Sequence, residues 1–134
     1  MINILLVTHG GFGKELLKSS EMIIGPIECA ESISYQQGEG FDSLLTKVDE
    51  AVARLSKGND LIVFTDMYGG SPFNAVSRIM KNNNNFYHIT GINFPLFIDI
   101  AVNRDTYSLE EIAEKIIKNG KKSIVFVNET FLAD

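Results

Sequence analysis

An imidazole and a carboxylate stand at equivalent places in two separate segments of this chain. His9 lies two residues beyond the apolar run Ile4-Leu5-Leu6-Val7 and directly before Gly10-Gly11-Phe12-Gly13. Asp66 lies two residues beyond a second such run, Leu61-Ile62-Val63-Phe64, and opens the segment Asp66-Met67-Tyr68-Gly69-Gly70-Ser71-Pro72-Phe73-Asn74. Imidazole gains and loses a bond near neutral pH more readily than any other side chain. A carboxylate on its Nδ1–H fixes the tautomer and turns the Nε2 lone pair outward, as a nucleophilic histidine requires. Each residue also has a plainer reading: His9 as a turn histidine, Asp66 as a loop-capping carboxylate, Ser71 as an ordinary helix cap. The cap role of Ser71 is compatible with a chemical one.

The neighbours of the pair narrow the chemistry. Gly10, Gly11, Gly69 and Gly70 allow close backbone approach and turns closed to other residues. Both loops lead into helices, whose first amides attract anions with help from the helix dipole. Ser71 adds a hydroxyl, and Pro72 suits a first helical position with Ser71 as the cap before it. An oriented imidazole beside two amide clusters is suited to a phosphoryl group.

The elements that must position these residues follow from hydrophobic spacing. The runs at Ile4 and Leu61 predict buried parallel strands. Further strands are predicted at Ile33–Tyr35, at Phe86–Thr90 and at Ser123–Val127. Lys14-Glu15-Leu16-Leu17 begins a first helix, which Gly25-Pro26 stops. Phe41, Leu44, Leu45, Val48, Ala51, Val52 and Leu55 form one apolar stripe on a second. Phe73, Val76, Ile79 and Met80 mark a third. Leu96–Val102 is a short helical stretch. Ser108 and Glu111 have capping-box spacing before a final helix carrying Leu109, Ile112, Ala113, Ile116 and Ile117 and ended by Gly120. Strand–helix alternation predicts one α/β domain over residues 1–134, with a doubly wound, mostly parallel sheet. Strand order 2-1-3-4 puts the first and third strands side by side at the switch point, their ends about 5 Å apart. His9 and Asp66 then meet across the crevice.

Other chemistries with similar vocabulary fail on specific residues. Gly11-Phe12-Gly13-Lys14-Glu15-Leu16 lacks the last glycine of a dinucleotide fingerprint, and no acidic residue closes strand two near Tyr35. A Walker A motif is absent. Histidine phosphatases have Arg before the His-Gly pair, where this chain has Thr8. A receiver domain needs an acidic cluster after strand one. Zinc catalysis needs more ligands than His88, the other histidine, provides. No metal or cofactor is expected.

Composition bounds the class. The 134 residues are 45% hydrophobic, sized for one core. A net charge of −5 argues against nucleic acid or an anionic membrane as main partner. The single cysteine, Cys29, excludes an intrachain disulfide, fits a reducing compartment and is expected to be buried. No signal peptide is expected before the first strand. The longest apolar stretch, Phe94–Val102, contains Pro95 and Asp99 and is too short to span a bilayer. A soluble cytoplasmic domain is expected.

Thr8-His9-Gly10, the segment Asp66 to Asn74, and Gly91-Ile92-Asn93-Phe94-Pro95 together resemble the enzyme IIA component of the mannose family of the bacterial sugar phosphotransferase system. Helix and strand spacing agrees along nearly the whole chain. The resemblance implies that His9 accepts a phosphoryl group from the phosphorylated histidine-phosphocarrier protein. It passes the group to a histidine of the IIB component, and sugar is phosphorylated during membrane transport. Asp66 matches the carboxylate paired with the active histidine, and Ser71 the serine beside it. The membrane is met only through the transporter complex. The resemblance also implies a homodimer in which the C-terminal edge strand is exchanged and pairs antiparallel with the other subunit's sheet. Some members carry Trp where Tyr68 stands, and some continue into a fused IIB domain, which here would be a separate chain. Two other functions remain open at this point. One is a phosphoryl donor subunit for a dihydroxyacetone kinase, a branch in which serine tends to follow the histidine where this chain has Gly10. The other is a non-catalytic anion-sensing or adaptor domain.

Overall fold

Four parallel strands form the sheet, and their side chains alternate between two helix-covered faces. The computed structural model describes residues 1–132. It divides into two units, Met1–Ile92 and Asn93–Asp134. The first contains β1 (Asn3–His9), α1 (Phe12–Ile24), β2 (Ala30–Tyr35), α2 (Phe41–Leu55), β3 (Leu61–Thr65), α3 (Ser71–Asn82) and β4 (Tyr87–Thr90). Strand order is β2-β1-β3-β4, as the alternation predicts.

The two central strands hold the fully buried runs. Leu5 and Val7 of β1 and Leu61 and Val63 of β3 pack with Leu44, Val48, Val52, Ala75, Val76 and Ile79 of α2 and α3. On the opposite face α1 lies close to the sheet because Gly13 has no side chain. A Cβ there would stand 2.9 Å from Ser32 Oγ and 3.1 Å from both Leu6 Cβ and Thr8 Cγ2. Thr8 Oγ1 also accepts the Gly13 amide at 2.8 Å, tying the first turn of α1 to the end of β1. Helices therefore cover both faces, the doubly wound arrangement. Cys29 departs from expectation: it is exposed. It occupies the turn into β2, where its carbonyl accepts the Ile4 amide at 2.9 Å, and turns lie at the surface.

The second unit is helical. It contains α4 (Phe94–Asn103), α5 (Leu109–Glu111), a π-helical segment (Ile112–Ile116), α6 (Ile117–Lys121) and α7 (Val127–Leu132). The Ser108–Glu111 capping box forms as its spacing predicts. Gly120 lies inside α6 rather than beyond a helix end. Its Cβ would stand 2.8 Å from Leu96 Cδ1, so it admits α4.

The expected C-terminal strand does not form in the single chain. Residues 124–126 carry no regular structure, and α7 begins at Val127. A strand needs a neighbour for its N–H and C=O groups, and among the described residues no strand pairs with this segment. The backbone turns instead, with the amides of Glu129 and Thr130 directed to the Phe126 carbonyl. Ile124, Val125, Phe126 and Val127 are all left exposed.

Candidate active site

Parallel pairing aligns Val7 with Thr65. His9 is the last residue of β1, and Asp66 is the first beyond β3. This register brings the carboxylate alongside the turn out of β1. Asp66 Oδ2 accepts the His9 backbone N–H at 2.9 Å and lies 2.8 Å from His9 Nδ1. A carboxylate can only accept, so in the neutral ring Nδ1 carries the proton and Nε2 the lone pair. The His9 side chain is 45% exposed and that of Asp66 15% exposed. Nε2 is thus on a surface-accessible ring, while the carboxylate beside Nδ1 is mostly shielded from water. Asp66 Oδ1 is buried and has no hydrogen-bond partner among the described residues, so the proton contacts fall on Oδ2.

The glycines of the two loops serve different ends. Gly10 at φ +51 and Gly69 at φ +83 need the left-handed backbone that glycine adopts without strain. Gly10 does not fit among the phosphate-receiving amides expected from sequence, because its N–H is committed to the Tyr35 carbonyl at 2.8 Å. Gly11, at φ −85, is the N-cap of α1 and has open space where a side chain would be. Gly70 borders the ring of His9: a Cβ there would stand 2.8 Å from Cε1 and 3.4 Å from Nε2.

The start of α3 is shifted by one residue from expectation. Gly70 is the N-cap, and its carbonyl accepts the Asn74 amide at 2.8 Å. Ser71 and Pro72 are the first helical residues, so the Ser71 hydroxyl does not cap the helix and is left for another partner. Among the described residues, no loop or turn backbone hydrogen bond engages the amides of Gly11, Gly70 and Ser71. Asn74 Nδ2 steadies the loop from behind, donating to the Gly69 carbonyl at 3.4 Å.

Chemically the site is an outward-facing, oriented imidazole between two helix N-termini. Among the described residues no group of three or more His, Cys, Asp or Glu side chains could hold a metal ion. No helix among them is long and apolar enough to cross a membrane.

Comparison with known proteins places the chain in a family. Residues 3–117 match the family model described as the PTS system fructose IIA component, PTS denoting phosphotransferase system. The chain belongs to this IIA family. It is 32% identical over 124 residues to the PTS system mannose-specific EIIAB component of Escherichia coli K12. That alignment covers 92% of this chain but only 38% of the relative, so the chain spans well under half of the relative's length. It is 26% identical over 117 residues to the PTS system sorbose-specific EIIA component of Lacticaseibacillus casei, covering 87% of this chain and 84% of that one. A solved structure, the PTS IIA protein associated with the fucose utilization operon from Streptococcus pneumoniae, superposes with a TM-score of 0.85 at 28% identity. It covers 97% of this chain and 96% of that one.

In this IIA chain several site residues carry no sequence signal of their own. Tyr35 ends β2 opposite His9 and meets the imidazole edge-on, with ring centroids 6.0 Å apart. With His9, Gly10, Gln36, Gln37 and Gly38 it lines a recess of about 590 Å³. The strand pairing that brings Tyr35 there was legible; its contact was not. Thr8 stands in the Thr-His-Gly motif, and its capping of α1 shows only in three dimensions. His88 lies in β4 as expected, away from the outward-facing chemistry. Its Nε2 is 2.8 Å from the buried Thr65 hydroxyl, which donates to Thr90 Oγ1 at 2.8 Å. Burial pushes the His88 pKa down to about 4.

Proposed function

We propose that this chain is the phosphoryl carrier of a sugar phosphotransferase system, working in the cytoplasm through a phosphohistidine at His9. The observation that carries this reading is the double hydrogen bond from His9 to Asp66 Oδ2, which fixes the ring with Nε2 outward. The Nε2 lone pair attacks the phosphorus held on the histidine of the phosphorylated histidine-phosphocarrier protein. An Nε2–P bond forms as the donor's N–P bond breaks, and the electron pair returns to the donor's ring. The Nδ1 proton stays on His9, and Asp66 stabilises the positive charge that develops on the imidazole. The amides of Gly11, Gly69, Gly70 and Ser71 and the Ser71 hydroxyl receive the phosphoryl oxygens. The reverse chemistry then delivers the group to a histidine of the IIB component during sugar uptake. A relay must release its cargo, so no lysine or arginine need point at the phosphate, since a deep cationic trap would slow onward transfer.

Incubation with the phosphorylated phosphocarrier should place acid-labile phosphate on the protein. That phosphate should leave on addition of a IIB protein. Transfer to a dihydroxyacetone kinase subunit instead of IIB would assign the chain to that other branch. Absence of label would leave the anion-sensing or adaptor reading.

A further inference from the structure

Gly70 has no backbone reason to be glycine. Its φ of −76 and ψ of 172 are extended values open to any residue. It is the N-cap of α3, a place where serine, asparagine or aspartate would also give the helix a side-chain acceptor. What sets the position apart is its neighbour. A Cβ would reach 2.8 Å from His9 Cε1, 3.4 Å from Nε2 and 3.3 Å from Met67 Cγ. Real Cβ atoms are essentially never found at the first of these distances.

We propose that Gly70 is a positioning residue for the phosphoryl-accepting imidazole: its bare Cα leaves the room in which the His9 ring keeps Nδ1 on Asp66 and Nε2 open. The proposal rests on the phosphohistidine reading above. The backbone at Gly70 is held, because its carbonyl accepts the Asn74 amide at 2.8 Å. Pro72 is buried two residues on. Any added side chain therefore displaces the ring rather than the loop. The recess lined by Gly10, Tyr35 and Gln36 gives the ring somewhere to move. A displaced ring loses the 2.8 Å contact with Asp66 Oδ2 and with it the fixed tautomer.

The test uses Gly70→Ala and Gly70→Ser in the full chain. Both retain the backbone N–H, so an amide that only receives phosphate would be left intact. Serine also supplies a helix cap, so its Tm should not fall through loss of α3. The direct readout is the pair of imidazole ¹⁵N shifts of His9 in the unphosphorylated protein. The parent should show protonated Nδ1 and unprotonated Nε2. Both variants should lose that single-tautomer pattern and accept phosphate at least about tenfold more slowly. In an Asp66→Asn background the same substitutions should add little, since contacts in one network are not additive. Parental ¹⁵N shifts and parental labelling rates in both variants would overturn the proposal. The ring readout needs no phosphoryl donor. A parent that takes no label would sink the carrier reading, while the shifts would still decide what Gly70 does.

Discussion

Asp66 grips His9 twice through one oxygen, taking the backbone N–H at 2.9 Å and the ring Nδ1 at 2.8 Å. The backbone bond locates the carboxylate relative to the end of β1, and the ring bond sets the imidazole relative to the carboxylate. Either bond alone would leave the ring a degree of freedom that the other removes.

Asp66→Asn keeps the size of the group and loses its charge. The asparagine should preserve the fold, because the side chain lies beyond β3 rather than in the core. Phosphoryl acceptance should slow by about 10²–10⁴-fold, the range for losing an orienting partner or proton-bearing contact of a catalytic imidazole. Initial labelling rates at saturating donor check this. A rate within twofold of the parent would remove Asp66 from the mechanism.

Gly13→Ala should destabilise the protein by about 1–2 kcal/mol, since overpacking a tight contact outweighs the gain in helix propensity near a helix N-terminus. The new methyl would press on Ser32 Oγ and on Leu6 and Thr8 in the sheet. Urea denaturation gives the number; an unchanged midpoint would show that α1 can lift off the sheet without cost.

Stability should depend on His88 in a defined pH window. Burial lowers its pKa from 6.5 to about 4 in the folded chain. Between those values the unfolded chain binds more protons than the folded one, so stability falls as pH drops from 6.5 towards 4 and this contribution levels off below. His88→Gln should show a shallower fall of Tm across that window than the parent. Parallel curves would mean that the ring is free to protonate in the folded state.

Much of the site was legible because its signals are local. An apolar run, a polar residue and a glycine-rich helix entry mark both His9 and Asp66, and parallel strand order alone brings them together. The roles of individual glycines were not legible. Gly10, Gly11, Gly69 and Gly70 look alike in sequence. Yet Gly10 and Gly69 answer to backbone dihedrals, Gly70 to the ring of His9, and Gly11 to neither. The helix boundary at Ser71 was off by one residue because serine and glycine are both acceptable caps. The stretch Ser123–Val127 has strand composition but, among the described residues, no paired strand, and composition cannot supply a pairing partner.

That same stretch bears on assembly. We expect a homodimer in which the exposed side chains of Ile124 to Val127 meet the second subunit, as unpaired apolar segments of this kind seek partners. Phe126→Asp should shift the protein towards monomer in sedimentation equilibrium. A parent protein that is monomeric at micromolar concentration would count against exchange.

Phosphate transfer from the radiolabelled phosphocarrier to parent, His9→Ala and His88→Ala proteins tests the central claim most directly. The account predicts label on the parent and on His88→Ala at similar rates, and none on His9→Ala. Label that survives His9→Ala and disappears with His88→Ala would contradict it.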